Sequence, residues 1–281
     1  MHKMKNFLTR VATGLIFGIV LIGSMWLGKN YFGLLFLLVT MLSVKEFCTL
    51  IAKYKETTFS KWWAILGGGY LFAAFFAVCH LGFEHKLAVF APYIALVVYV
   101  FIQQVFSIKG SKLDNFAYFT LSQIYAALPF AMLNILSTGG ALEGETYNML
   151  LPLCIFIFIW CNDTGAFCVG CTMGRHKMFE RVSPKKTWEG FAGGAIVAIA
   201  AGVVLSYISD IMNVWQWTGM AAIVVATATL GDLIESCMKR EMQIKDSGNI
   251  LPGHGGMLDR FDSTILATPS VIAYLSLIGL I

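Results

Sequence analysis

Residues 217–240 read W-T-G-M-A-A-I-V-V-A-T-A-T-L-G-D-L-I-E-S-C-M-K-R. The part up to Gly231 carries no charge, and with the apolar residues that follow the run reaches the roughly 20 positions a membrane-spanning helix needs. A lone strand would leave its backbone groups unpaired in lipid, so the segment reads as a helix. Near its end Asp232, Glu235, Ser236 and Lys239 fall at i, i+3, i+4 and i+7, which places them on one helix face. The segment is thus a membrane helix whose final turns carry a polar stripe. Ionisable groups in such a place are costly and mark candidate functional sites. The plain alternative is an internal ion pair to Lys239 or Arg240.

The same pattern extends over the whole chain. Of 281 residues, 58% are hydrophobic and 13% charged, where a soluble domain carries about a quarter charged residues. Most of the surface must therefore face lipid. Apolar stretches fall at 11–27, 31–50, 63–82, 87–107, 116–136, 149–170, 188–209, 217–237 and 263–281. The expected fold is an all-α integral membrane protein with about nine transmembrane helices. All of the 20 Lys and Arg except Lys29, Lys45 and Lys86 fall at the ends of one side. By the positive-inside rule that side is cytoplasmic, with the N-terminus inside and the C-terminus outside. The first apolar run has no clear cleavage site and reads as a retained helix. With no targeting extension evident, a bacterial inner membrane is the expected location. The mild net charge of +4 gives no sign of a nucleic-acid partner. Cys168 and Cys171 form a C-x-x-C without a second pair, so the cysteines read as small apolar packing residues.

Polar chemistry is confined to the second half. Residues 1–148 read as membrane scaffold and 149–281 as a catalytic region with two charged cytoplasmic loops, 171–187 and 238–262. Asp163 lies deep in the sixth span, within W-C-N-D-T-G. The second loop contains K-R-E-M-Q-I-K-D-S-G-N-I-L-P-G-H-G-G-M-L-D-R-F-D, residues 239–262. Gly253, Gly255 and Gly256 permit close approach of backbone amides to an anion. Lys239, Arg240, Lys245 and Arg260 supply cations for phosphate, and His254 sits between glycines in the same loop. Asp246, Asp259 and Asp262 offer hard oxygen ligands, so phosphates and carboxylates together imply a divalent cation, magnesium first. In the first loop, S-P-K-K-T-W-E-G spans 183–190. Ser183 is expected to cap a helix that begins at Pro184, with Lys185, Lys186, Thr187 and Glu189 beside a phosphate at its N-terminus. Both loops are expected to meet over one ligand. Outside them, Lys45 snorkels and its neighbour Glu46 stays a candidate without an assigned role, while His80 and His85 read as lying on the outer side.

These motifs resemble those of the phosphatidate cytidylyltransferase family. The resemblance rests on S-x-x-K-R from Ser236, K-D-x-G from Lys245, and P-x-H-G-G-x-x-D-R-x-D from Pro252 to Asp262. S-P-K-K-T-x-E-G and N-D-T-G-A-F are similar to further motifs of that family. It implies that CTP and phosphatidate, a membrane lipid, are converted to CDP-diacylglycerol and pyrophosphate. It also implies a magnesium ion, with room for a second cation, and a homodimer. By position, Asp232 and Asp259 look like acids of the metal centre, with Asp163 and Asp262 as further ligands. Lys185, Lys186, Lys239, Arg240 and Lys245 resemble phosphate-facing positions, and Ser236, Gly255 and Gly256 lie within the same motifs.

The residues fit that chemistry independently. The lipid phosphate is itself a nucleophile, so no catalytic Ser or Cys is required. The difficulty lies in bringing two polyanions together, which cations relieve. Two other readings remain open: a CDP-alcohol phosphatidyltransferase, whose D-G-x-x-A-R run is absent, and a transporter, which usually shows two related halves.

Overall fold

Every apolar stretch folds into helix, because in lipid only intrasegment hydrogen bonds satisfy the backbone. The computed structural model describes residues 2–55, 57–83, 85–108, 110–139, 147–248, 250 and 255–281, and for 2–12 the backbone only. The chain divides into two compact units, Met1–Met149 with Asp246–Phe261, and Leu150–Lys245 with Asp262–Ile281.

The first unit holds α1 (His2–Trp26), α2 (Lys29–Tyr54), α3 (Lys61–His80), a 3-10 turn (Lys86–Phe90), α4 (Ala91–Phe106), α5 (Lys112–Ala126) and α6 (Leu128–Leu136). The stretch expected as one span over 116–136 is broken at Ala127, because Pro129 cannot continue a hydrogen-bonded ladder and instead sits in the first turn of α6. Small residues let helices approach where no hydrophobic force separates protein from lipid. A methyl group on Gly68 of α3 would lie 2.9 Å from Val44 of α2 and 3.1 Å from Ala127. At the core the Phe261 ring meets Phe17, Phe36 and Phe130, with centroids 5.5, 6.2 and 5.3 Å away. The buried Asn115 amide donates to the Thr58 hydroxyl and to the Gln104 side-chain oxygen, both at 2.7 Å.

The second unit holds α7 (Leu150–Met173), β1 (Lys177–Phe179), β2 (Ser183–Thr187), α8 (Trp188–Ile208), α9 (Val214–Glu241) and most of α10 (Leu258–Leu277). α7 and α8 touch backbone to backbone: a Cβ on Gly165 would lie 2.8 Å from the Gly193 carbonyl. α9 and α10 do the same, with the site of a Gly231 Cβ 2.5 Å from the Asp262 carbonyl. Further along, Tyr274 donates to the Gln216 carbonyl at 3.0 Å.

Among the described residues, seven helical stretches are long and apolar enough to cross a membrane. The described apolar part of α1, Thr13–Trp26, is shorter, and α10 opens with Asp259, Arg260 and Asp262 and contains Pro269. Large apolar side chains such as Ile19, Trp26, Val105 and Ile196 are well exposed, as a lipid-facing surface requires. The protein is a multi-pass membrane protein.

One element departs from the all-helical expectation. Residues 177–187 form an antiparallel hairpin, with Lys177 paired to Thr187 and Phe179 to Ser183. Ser183 therefore caps no helix. A residue before proline is biased towards extended backbone, and a proline is tolerated on an edge strand. The helix starts later, at Trp188, where Thr187 is the cap and accepts from the Gly190 N–H at 3.1 Å.

Candidate active site

The hairpin aims a cation at α9. In β2 successive side chains alternate faces; Lys185 is exposed while Lys186 is half-buried. The Lys186 ammonium lies 2.7 Å from Oδ2 of Asp232 and 3.5 Å from the Thr229 carbonyl. The hairpin turn is tied to the same helix by Arg240, whose Nε donates to the Val182 carbonyl and whose Nη1 donates to that of Ile244. At the other end, Glu189 accepts from the backbone N–H groups of Arg175 and His176 and pairs with the His176 ring. Glu189 thus holds the hairpin's entry against the first turn of α8.

The polar stripe of α9 is real and internally connected. Ser236 donates to Oδ1 of Asp232 at 3.1 Å. Lys239 pairs with the buried Glu235 at 3.2 Å, so for Glu235 the plain ion-pair alternative holds. Asp262, one helix over, feels the charges of Asp232, Lys239 and Asp163. Carboxylates of α7 and α9 thus act on that of α10, with Lys239 also acting on Asp262 and Lys186 paired to Asp232. Beside them is a cavity of about 220 Å³. Asn162, Asp163, Lys185 and Lys186 form its polar part, and Ala166, Phe167 and Phe191 its apolar wall. A charged head with an apolar tail matches both linings.

Among the described residues, no three His, Cys, Asp or Glu side chains form a ready metal cage. The donor chemistry nonetheless fits a hard cation, since Asp163, Asp232 and Asp262 offer only carboxylate oxygen. Magnesium is commonly held by one or two carboxylates, with substrate phosphates and water completing its shell.

The glycine-rich segment of the first unit has a different internal order. Asp259 accepts from the backbone N–H of Ser247, at 2.9 and 3.1 Å, and from that of Gly256 at 2.7 Å. Gly255 has φ +83°, a conformation L side chains rarely adopt, and a Cβ there would lie 2.5 Å from Asp259 Oδ2. Of the amides expected to face an external anion, that of Gly256 is thus occupied by the segment's own carboxylate. Glu46, left without a role in the sequence, reaches the same segment: its Oε2 accepts from the Leu258 N–H at 2.9 Å and from the Ser247 hydroxyl at 3.4 Å. Lys245, Asp246 and Arg260 are exposed, Asp246 and Arg260 in this unit and Lys245 at the end of the other. Gly253 and His254 lie outside the described residues.

The protein is thus a multi-pass helical membrane protein whose second unit clusters lysines and carboxylates. The comparisons give the family. The cytidylyltransferase family model matches residues 8–278, and the chain belongs to that family. It is 47% identical over 128 residues to the phosphatidate cytidylyltransferase of Staphylococcus aureus (strain COL), a match covering 45% of this chain and 49% of the relative. It is 32% identical over 193 residues to that of Bacillus subtilis (strain 168), covering 68% of each. The match thus spans about half the length of the staphylococcal relative and two-thirds of the Bacillus one.

Proposed function

We propose that the protein is a phosphatidate cytidylyltransferase: CTP and phosphatidate give CDP-diacylglycerol and pyrophosphate. The observation that carries this is the convergence, within one unit, of Lys186 on Asp232 beside a cavity that is polar at one part and apolar at the other. The relatives' names supply the substrates. An oxygen of the lipid phosphate attacks the α-phosphorus of CTP in line. The bond from that phosphorus to the bridging oxygen breaks, and pyrophosphate leaves with the electron pair. No acyl- or phospho-enzyme is needed. Lys185, Lys186 and Lys239 neutralise the phosphates, and fixed cations aimed at developing charge are the main source of acceleration in such a transfer. Asp163, Asp232 and Asp262 would hold magnesium, which supplies charge neutralisation to the phosphate oxygens.

The nine-span topology, with the N-terminus inside and the C-terminus outside, belongs to the same proposal. So do residence in a bacterial inner membrane, a cytoplasmic site open to CTP, and a homodimer. Support comes from the placement of Lys and Arg and from helices covering all nine apolar stretches. The test is direct. Purified protein given labelled CTP, phosphatidate and magnesium should form a CDP-lipid and pyrophosphate in equal amounts; no product under these conditions overturns the reading.

A further inference from the structure

Glu46 is a carboxylate buried within a membrane helix, 5% exposed, and the proposed reaction makes no use of it. Burying a charge is costly unless its hydrogen bonds repay the lost water. Its partners among the described residues are both more than 200 positions away: the Ser247 hydroxyl and the Leu258 N–H. The glycine-rich segment is also shaped around it. A Cβ on Gly248 would lie 2.6 Å from Glu46 Oε1, and one on Gly256 would lie 2.5 Å from Oε2. Two glycines are thus required by close approach to this carboxylate. Asp259 grips the same stretch from its own end through the Ser247 and Gly256 amides.

We propose that Glu46 is a positioning residue for the stretches Ser247–Gly248 and Gly256–Leu258, acting as the acceptor against which they pack. Ser247 and Gly248 stand two and three positions after Lys245, and Gly256 to Leu258 belong to the same P-x-H-G-G-x-x-D-R-x-D run as Asp262. Glu46 itself touches no reacting atom. The role is that of a hydrogen-bond acceptor of fixed position, which a glutamine can also fill because its amide oxygen can take the place of Oε2.

The kinetic part of the test rests on the cytidylyltransferase reading; the structural part does not. Hydrogen exchange followed by mass spectrometry on the purified, full-length protein reads the segment without substrate. Glu46→Ala removes the acceptor for one buried N–H and one hydroxyl, and hydrogen bonds to a charged group are the stronger kind, so local protection of peptides covering 255–258 should fall roughly tenfold or more. Peptides from α7 and α8 should be unaffected, and Glu46→Gln should restore protection. If Glu46→Ala does not fold, Gly248→Ala, which sets a methyl against Oε1, should give the same local loss. In turnover, Glu46→Ala should raise KM for CTP roughly tenfold with kcat changed less, as expected for loss of a positioning contact, and Glu46→Gln should recover it. A purely structural role would instead lower the active fraction at constant KM, and that result overturns the proposal. So does unchanged protection in both Glu46→Ala and Gly248→Ala. Failure of the wild-type protein to make any CDP-lipid refutes the assigned reaction and leaves the exchange result to decide the role of Glu46.

Discussion

The contact between Lys186 and Asp232 joins residues from the hairpin and from α9 at 2.7 Å, with the two side chains 26% and 33% exposed. Exposed ion pairs contribute about 0.2–1 kcal/mol, and breaking a buried one costs about 3–5 kcal/mol. Partial exposure and a second acceptor for Lys186, the Thr229 carbonyl, place this pair at about 1–2 kcal/mol of coupling. A coupling of that size corresponds to roughly 5- to 30-fold in kcat/KM. The perturbation is a cycle of Lys186→Met, Asp232→Asn and the double variant, read as CDP-lipid formation per folded molecule at saturating phosphatidate. Each single variant loses a group that faces the phosphates or the metal as well as its partner, so each should lower kcat/KM by about 100-fold or more. The double variant should be better than the product of the singles by the coupling factor, because residues in contact do not act independently. Strict multiplicativity would show that the pair is incidental to turnover. Full specific activity of Lys186→Met would go further: it would reduce the hairpin lysines to membrane anchors and remove the first loop from the site.

Three further outcomes follow from the same geometry. Asp262→Asn and Asp163→Asn should each raise the magnesium concentration needed for half-maximal activity, measured by titration after EDTA treatment; wild-type turnover in excess EDTA would end the metal assignment. Thr187→Ala deletes the cap of α8 and should lower thermal stability by about 1 kcal/mol, while Thr187→Ser retains it; equal melting of the two variants would show that the cap contributes little. A reporter fused after Ile281 should read as extracytoplasmic, whereas a cytoplasmic signal would exclude nine spans with the N-terminus inside.

The helices were legible in the sequence because lipid imposes a single rule on any apolar run: pair the backbone within the segment. The breaks inside the runs were harder to read. Pro129 divides 116–136 into α5 and α6, yet proline is common enough in membrane helices that its effect depends on what neighbours can repair. The start of α8 was misplaced for a related reason. Ser183-Pro184 has the composition of a helix entry, but Thr187 can cap equally well, and pairing of Lys177 with Thr187 favours the later start. That pairing connects residues ten apart across a turn and leaves no periodic trace in so short a strand. Lys186 was named from its motif, but its partner was not, since Asp232 stands on another helix and only packing brings the two together.

The glycine-rich segment marks the sharper limit of reading. Clustered glycines permit backbone amides to close around an anion, and a sequence says nothing of whose anion it is. In the second signature loop the flanking lysines and aspartates favour an incoming phosphate. The structure gives the Ser247 and Gly256 amides to Asp259 and the Leu258 amide to Glu46. Both answers follow from the same physics, because a carboxylate and a phosphate oxygen are satisfied by the same donors at nearly the same distance. What separates them is the origin of Glu46: it comes from a helix far back in the chain, next to a lysine that reads as a membrane anchor, and nothing in its local sequence points to residues 247–258. A buried acid of this kind has to be recognised by what it would cost if unpaired. By that criterion Glu46, 5% exposed, is a residue whose burial demands a role, whereas Asp163 is exposed and Asp232 and Asp262 are half-buried. Its role differs from theirs because its partners among the described residues are the backbone and hydroxyl of a loop, with no lysine among them.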